Sequence, residues 1–234
     1  MAQILCSGLL IDMDGVLVDS TAAIARVWTR WAARHNLDPT YVINFSHGRM
    51  SPESVRELLH DASSEVQHEE ALWMERGEIE DIADVVALPG ARAILEAVPA
   101  SRRCVVTSST RPLAEVRLRV TGLWDLVTHI VTASDVRRGK PDPEPYQKGA
   151  ALLQLPPAHC VVIEDAASGT RAAKTAGARV LGLRTTSDDA AFLAAGADWI
   201  ANDCSSLRCT VSRGAGQLLL EFADNEIPRL RKMH

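Results

Sequence analysis

Short apolar runs separated by longer amphipathic stretches constrain this chain more than any other feature of its sequence. The runs "GLLID" (8–12), "CVVTS" (104–108), "HIVTA" (129–133), "CVVIE" (160–164), "RVLGL" (179–183) and "DWIAN" (198–202) have strand length, and most are bounded by Gly, Pro, Asp or Ser. Helical patterns such as "GARAILEAV", "PLAEVRLRVT" and "PEPYQKGAALLQL" lie between them. This alternation predicts an α/β fold, a Rossmann-like three-layer core with a mostly parallel sheet. One segment breaks the rhythm. From about Ser20 to Val86 only helical runs occur, including "TAAIARVWTRWAARHNL", "SPESVRELLHDA" and the acidic "SEVQHEEALWMERGEIEDIADV". An α-helical cap inserted over 17–86 is therefore expected, with 1–16 and 87–234 forming a discontinuous core. Near the C-terminus "SLRCTVSRGAGQLLLEF" reads as a hairpin around Gly214 to Gly216, and "NEIPRLRKMH" as a tail.

Composition narrows the function classes. The chain has 234 residues, 47% hydrophobic, enough to bury a full core in one or two domains. A net charge of -5 leaves no basic footprint for nucleic acid, and no apolar run approaches the roughly 18 residues of a membrane span. The five cysteines contain no CxxC pair and lie mostly in or beside apolar runs, so buried thiols in a reducing, cytoplasmic setting are expected. The first fifteen residues lack a basic n-region, and their apolar run ends in two acids where a leader would carry a small-residue cleavage site.

Acids stand at the ends of the expected strands. In open parallel sheets the ligand crevice lies outside the carboxyl ends of the strands. There the first strand ends at Asp12 and Asp14, the second at Thr107, Ser108 and Ser109, and the fourth at Glu164 and Asp165, with Lys140 in the loop after the third. Carboxylates gathered so closely repel one another unless a cation neutralises them, and oxygen ligands without His or Cys suit Mg²⁺. A lysine and a hydroxyl beside such a metal, with adjacent backbone N–H groups, make a cradle for a phosphoryl group.

The stretches "DMDGVLVDS", "VVTSST", "GKPDPEPY" and "VVIEDAASG", in this order and spacing, resemble the four motifs of the haloacid dehalogenase superfamily of phosphotransferases. The resemblance extends to about Asn202, and the helical insertion corresponds to the family's small helical cap. Within the superfamily the chain is similar to sugar, sugar-alcohol and glycerol-phosphate phosphatases and to β-phosphoglucomutases. The resemblance implies that Asp12 is the nucleophile that becomes an aspartyl phosphate and that Asp14 is the general acid and base. Mg²⁺ would be held by Asp12, the Asp14 carbonyl and Asp165, with Glu164 as an additional or outer ligand. Ser108, the Ser109 N–H and Lys140 would hold phosphate oxygens. His47, Gly48 and Arg49, in "FSHGRMSPESV", match the place where relatives contact substrate, with Arg111 as a weaker candidate.

Simpler readings compete at each position. Ser108 could cap the helix beginning near Pro112, and Lys140 could be a solvated loop charge, although Pro141, Pro143 and Pro145 stiffen its loop. The acidic run Glu65 to Asp84 reads as a solvated helix face, and Trp28, Trp31 and Trp73 as cap core. Where relatives commonly have "DAPAGI" this chain has "DAASGT", with Ser168 and Thr170 in place of apolar or small residues. The expected function is Mg²⁺-dependent hydrolysis of a small phosphorylated sugar, sugar alcohol or glycerol phosphate. A β-phosphoglucomutase-like mutase is the alternative, and a non-catalytic phosphometabolite-binding protein the third reading. The expected partner is a small phosphorylated metabolite, with the chain a monomer or a homodimer paired through its C-terminal edge.

Overall fold

The structure, a computed structural model, describes residues 2–212 and 217–223. The expected turn at Gly214 to Gly216 and the tail from Asn225 lie outside the described residues. The alternating apolar runs become a six-stranded sheet built from β2 (Gly8–Ile11), β5 (Arg103–Val106), β6 (Ile130–Val131), β7 (Cys160–Glu164), β8 (Arg179–Leu183) and β9 (Trp199–Ala201). Its order is β6-β5-β2-β7-β8-β9 and every pairing is parallel. The first strand of chemistry, β2, thus lies between β5 and β7. Four expected strands are shorter than the runs that suggest them; β2 stops before Asp12, and β9 leaves out Asp198 and Asn202. Thr107 and Ser108 fall beyond β5, and after Val131 the chain turns into a single 3₁₀ turn, Ala133–Asp135, closed by reciprocal Thr132 and Asp135 hydrogen bonds.

Strand residues alternate between two buried faces. Leu9 and Ile11 join Val161 and Ile163 on one side, where α5 (Ala91–Ala97) and α6 (Arg111–Val120) pack; Leu10 joins Val162 on the other, against α7 (Glu144–Leu152) and α8 (Ala167–Thr175). Helices on both faces explain why these runs are continuously apolar instead of alternating with polar residues. A last crossover helix, α9 (Asp189–Ala195), joins β8 to β9, its Asp188 side chain accepting the Ala191 N–H as an N-cap.

Two pairings go beyond what the sequence pattern predicts. The C-terminal hairpin, β10 (Leu207–Val211) with β11 (Leu218–Phe222), is present, yet β11 also pairs antiparallel with β1 (Ala2–Cys6). The result is a three-stranded sheet in which β11 is the central strand and not an edge. Ile4, Cys6, Leu218, Leu220 and Phe222 turn one face of it onto the main core. The second pairing, β3 (Val18–Asp19) with β4 (Val86–Ala87), stands at the point where the chain leaves and re-enters the sheet.

Between β3 and β4 lie α1 (Thr21–Arg34), α2 (Pro39–Ser46), α3 (Ser51–Leu58) and α4 (Ser64–Glu80). They have a core of their own around Val27, Trp28, Trp31, Val42, Val55 and Met74. Trp28 and Trp31 meet edge to face at 5.4 Å, as the core reading of these tryptophans expects. Among the described residues no helix is long and apolar enough to cross a membrane.

Candidate active site

Because β5, β2 and β7 are neighbours, the polar residues at their carboxyl ends converge. Asp12 continues the ladder one residue past β2, its N–H donating to the Ile163 carbonyl at 3.0 Å. Its Oδ1 accepts the Met13 N–H at 2.8 Å and lies 2.9 Å from Lys140 Nζ. Lys140, fully buried, also donates to Glu164 Oε1 at 2.7 Å. That oxygen accepts the Tyr146 hydroxyl at 2.7 Å, while Glu164 Oε2 accepts the N–H groups of Asp165 and Ala166, both at 2.9 Å. Both oxygens of Glu164 are therefore engaged in fixing Lys140 and the turn after β7. Lys140 is no solvated loop charge.

Burial dominates the electrostatics here. It pushes the Asp12 carboxyl well above the usual carboxylate range, with Glu164 and Asp165 adding to the rise and Lys140 opposing it. Asp165 is raised for the same reason, burial first, although the nearby His47 imidazole pulls the other way. Glu164 goes down: burial raises it, but the charge and hydrogen bond of Lys140, with its backbone donors, win. Lys140 itself is held above the usual lysine value, since Asp12 and Glu164 outweigh the effect of its burial.

Asp12, Glu164 and Asp165 each offer an oxygen within 4.8 Å of the others, and all three are buried. An all-oxygen, net-negative set of this kind fits a hard divalent cation. Gly15 makes the cluster possible. Its φ is +76°, and a Cβ at that position would overlap the Asp165 carboxylate. Thr185 and Thr186, on the loop after β8, complete this side by donating to the Gly15 carbonyl and to Asp165. Neither threonine is among the residues expected from the sequence, although "RTT" stands at a strand end as the other site residues do.

Asp14 faces a different set of groups. Its Oδ1 accepts the Ser20 hydroxyl at 2.6 Å and Arg117 Nη1 at 3.0 Å, and its Oδ2 accepts the Ser109 hydroxyl at 2.9 Å. Ser20 precedes α1 but caps nothing; Asp19 accepts the Thr21 N–H instead. Arg117 is almost fully buried, and its Nη2 lies 3.6 Å from Oε1 of Glu78, a buried residue of α4. Burial pushes the Glu78 carboxyl up, with Arg117 opposing the rise and Asp14 adding to it. Arg117 and Glu78 are likewise outside the sequence expectation. Most of the acidic α4 face is solvated, but Glu78 stands one turn after Met74 and shares its buried side; Arg117 stands one turn after Leu113. A charged residue in register with an apolar stripe is the available signal.

The loop between α2 and α3 closes over these residues. Ser108 donates to the Gly48 carbonyl at 3.0 Å and Ser168 to the His47 carbonyl at 3.3 Å, so Ser108 does not cap α6. The Ser168 that departs from the family pattern thus holds the loop. Gly48 has φ +71°, and a Cβ there would overlap Ser168 Oγ. His47 Nε2 lies 3.6 Å from Asp165 Oδ2, and that nearby carboxylate raises the imidazole pKa against the effect of burial. Arg49 stacks over Phe45 at 4.6 Å and donates to Glu57 at 3.1 Å. The Ser109 N–H donates to Thr107 Oγ1 at 3.1 Å. Arg111 stands apart: it donates to Asp135 at 2.9 Å and is not among the residues lining the pocket.

That pocket, about 480 Å³, is enclosed by the sheet end below and the four helices above. Asp12, Asp14, Asp165, Ser108 and Ser109 form its floor, while Trp28, Glu75 and Glu78 reach it from the helices and His47 and Arg49 from the α2–α3 loop.

A parallel α/β sheet with a buried acidic centre at its carboxyl edge, roofed by inserted helices, defines a Rossmann-like α/β protein with a reaction pocket at the strand ends. The family model for haloacid dehalogenase-like hydrolases matches residues 6–177, and the chain belongs to that family. Hexitol phosphatase A of Escherichia coli (strain K12) is 38% identical over 185 residues, covering 78% of this chain and 85% of that protein. Glycerol-1-phosphate phosphohydrolase 2 of Saccharomyces cerevisiae (strain ATCC 204508 / S288c) is 32% identical over 213 residues, covering 85% and 83%. Among solved structures, a hydrolase from Pseudomonas syringae matches with a TM-score of 0.77 at 25% identity, covering 85% of this chain and 94% of that one.

Proposed function

We propose that the protein is a Mg²⁺-dependent phosphatase of a small phosphorylated sugar or polyol, acting through a phosphoaspartate on Asp12, with the helices between β3 and β4 as its cap. One observation carries this reading: Asp12 and Asp14 emerge together from β2 into one pocket, Asp12 beside a buried lysine and two further acids, Asp14 among hydroxyls and a guanidinium. Similarity to phosphatases of hexitols and glycerol phosphate supports the substrate class.

In this mechanism a carboxylate oxygen of Asp12 forms a bond to phosphorus as the bond from phosphorus to the substrate oxygen breaks. The proton on Asp14 passes to that leaving oxygen. Asp14 then takes a proton from water, whose oxygen bonds to phosphorus while the bond to Asp12 breaks, freeing orthophosphate and the enzyme. Asp12, Asp165 and the Asp14 carbonyl would hold the Mg²⁺, with Glu164 behind them, since its oxygens already serve Lys140, Tyr146 and two backbone donors. When bound, the cation supplies charge stabilisation for the phosphoryl oxygens. Lys140 keeps Asp12 in place and offers positive charge to the phosphoryl group; Ser108 and the Ser109 N–H would turn from the Gly48 carbonyl and Thr107 Oγ1 to the phosphoryl oxygens.

The test is phosphate release from hexitol, hexose and glycerol phosphates, with Mg²⁺ and with EDTA. Release is expected with Mg²⁺ alone, free phosphate accumulating instead of an isomerised phosphosugar. Asp12→Asn is expected to reduce it by about a thousandfold or more, which corresponds to about 4 kcal/mol of barrier. Full activity in Asp12→Asn would remove the nucleophile assignment.

A further inference from the structure

The pocket contains a buried charged pair only partly engaged by the phosphoryl chemistry: Arg117 reaches Asp14 through Nη1 alone, and Glu78 contacts none of the reacting groups. Arg117 is 1% exposed, and its Nε and Nη2 have no hydrogen-bond partner. Glu78, 4% exposed, accepts only a long 3.5 Å bond from Ser51, and its Oε1 is 3.6 Å from Arg117 Nη2, beyond a direct hydrogen bond. A buried arginine with two idle donors is costly, and native proteins rarely leave one without a reason. Both side chains line the same pocket as Asp12 and Asp14.

We propose that Glu78 and Arg117 form the subsite that recognises the hydroxyl groups of the substrate's uncharged tail. This rests on the phosphatase reading and deepens it. A hydroxyl donates and accepts at once, so one placed between the two would donate to the Glu78 carboxylate and accept from Arg117 Nη2; an adjacent hydroxyl would meet Ser51 or Glu75, which also face the pocket. Charge selects against other tails. Asp14 and Glu78 flank the Arg117 guanidinium and Glu75 lines the same pocket, so an anionic group placed at Arg117 would meet these acids, whereas a polyol meets acceptors it can satisfy. A purely alkyl tail would leave Glu78 and Arg117 buried and unpaired. Sites built around buried polar groups discriminate strongly against ligands that lack the matching group.

The experiment measures binding without turnover. In the Asp12→Asn protein with Mg²⁺, the affinities of a hexitol phosphate and of hexyl phosphate, of equal chain length, are compared by calorimetry. The hexitol phosphate is expected to bind at least tenfold more tightly. Adding Glu78→Gln is expected to cut that preference at least threefold, and Glu78→Ala to remove it, with thermal unfolding showing that each variant is folded. A parent preference below threefold, or a preference unchanged in both variants, overturns the proposal. Phosphate release by the unmodified enzyme is scored separately. If no phosphomonoester is hydrolysed while the Glu78-dependent preference stands, the phosphatase reading fails and the hydroxyl subsite survives.

Discussion

At the scale of single residues, the site is a balance of buried charges that only partly cancel. The clearest consequence concerns Asp12. Its folded-state carboxyl is raised above its ordinary value, so between the two values the folded protein binds more protons than the unfolded chain, and this residue's contribution to stability falls as pH rises. Asp12→Asn is therefore expected to be more stable than the unmodified protein in EDTA at pH 8, the difference shrinking as pH falls toward 4. Urea unfolding at several pH values checks it, and an equal difference at every pH would contradict a raised carboxyl. Much of this site is legible in the sequence because acids and hydroxyls after apolar runs have few structural uses. What stays hidden is pairing. Nothing in "EVRLRV" or "ERGEIE" shows that Arg117 and Glu78 face each other across two helices that are far apart in sequence. Arg111 shows the converse, a basic residue near a motif whose side chain turns to Asp135 instead.

At the scale of elements, the parallel strands are readable because burial on both faces leaves unbroken apolar runs, whereas β1 is not. Its five residues stop one short of β2, with Ser7 alone between, so two strands belonging to different sheets read as a single N-terminal stretch. Pairing with β11, some two hundred residues away, is the kind of contact that local pattern cannot supply. The same pairing moves the C-terminal hairpin from an expected free edge into the body of the protein, with Leu220 fully buried at its centre. Leu220→Ala is expected to cost about 2–5 kcal/mol, read from urea unfolding. Because β11 is remote from the pocket residues, KM for the preferred phosphate is expected to stay within about twofold.

At the scale of the whole molecule, the five cysteines behave as one population. All are buried, burial pushing Cys6, Cys104 and Cys204 up to about 12 and Cys160 and Cys209 up to about 11. Thiolates are the reactive form, so at pH 8 the folded protein is expected to show fewer than one thiol reacting with Ellman's reagent over minutes, and five after guanidinium. Rapid reaction of two or more in the folded state would mean that the core opens readily. The β3–β4 ribbon acts at this scale as well. The chain departs for the four helices through Val18–Asp19 and comes back through Val86–Ala87, and these segments are laced side by side by their own hydrogen bonds. Topologically, everything between them is a parenthesis in the chain. An insertion whose two ends share one doorway can lengthen, shorten or be exchanged over evolutionary time while the strand order beneath stays the same, leaving the acids at the strand ends fixed as the roof above them is rebuilt.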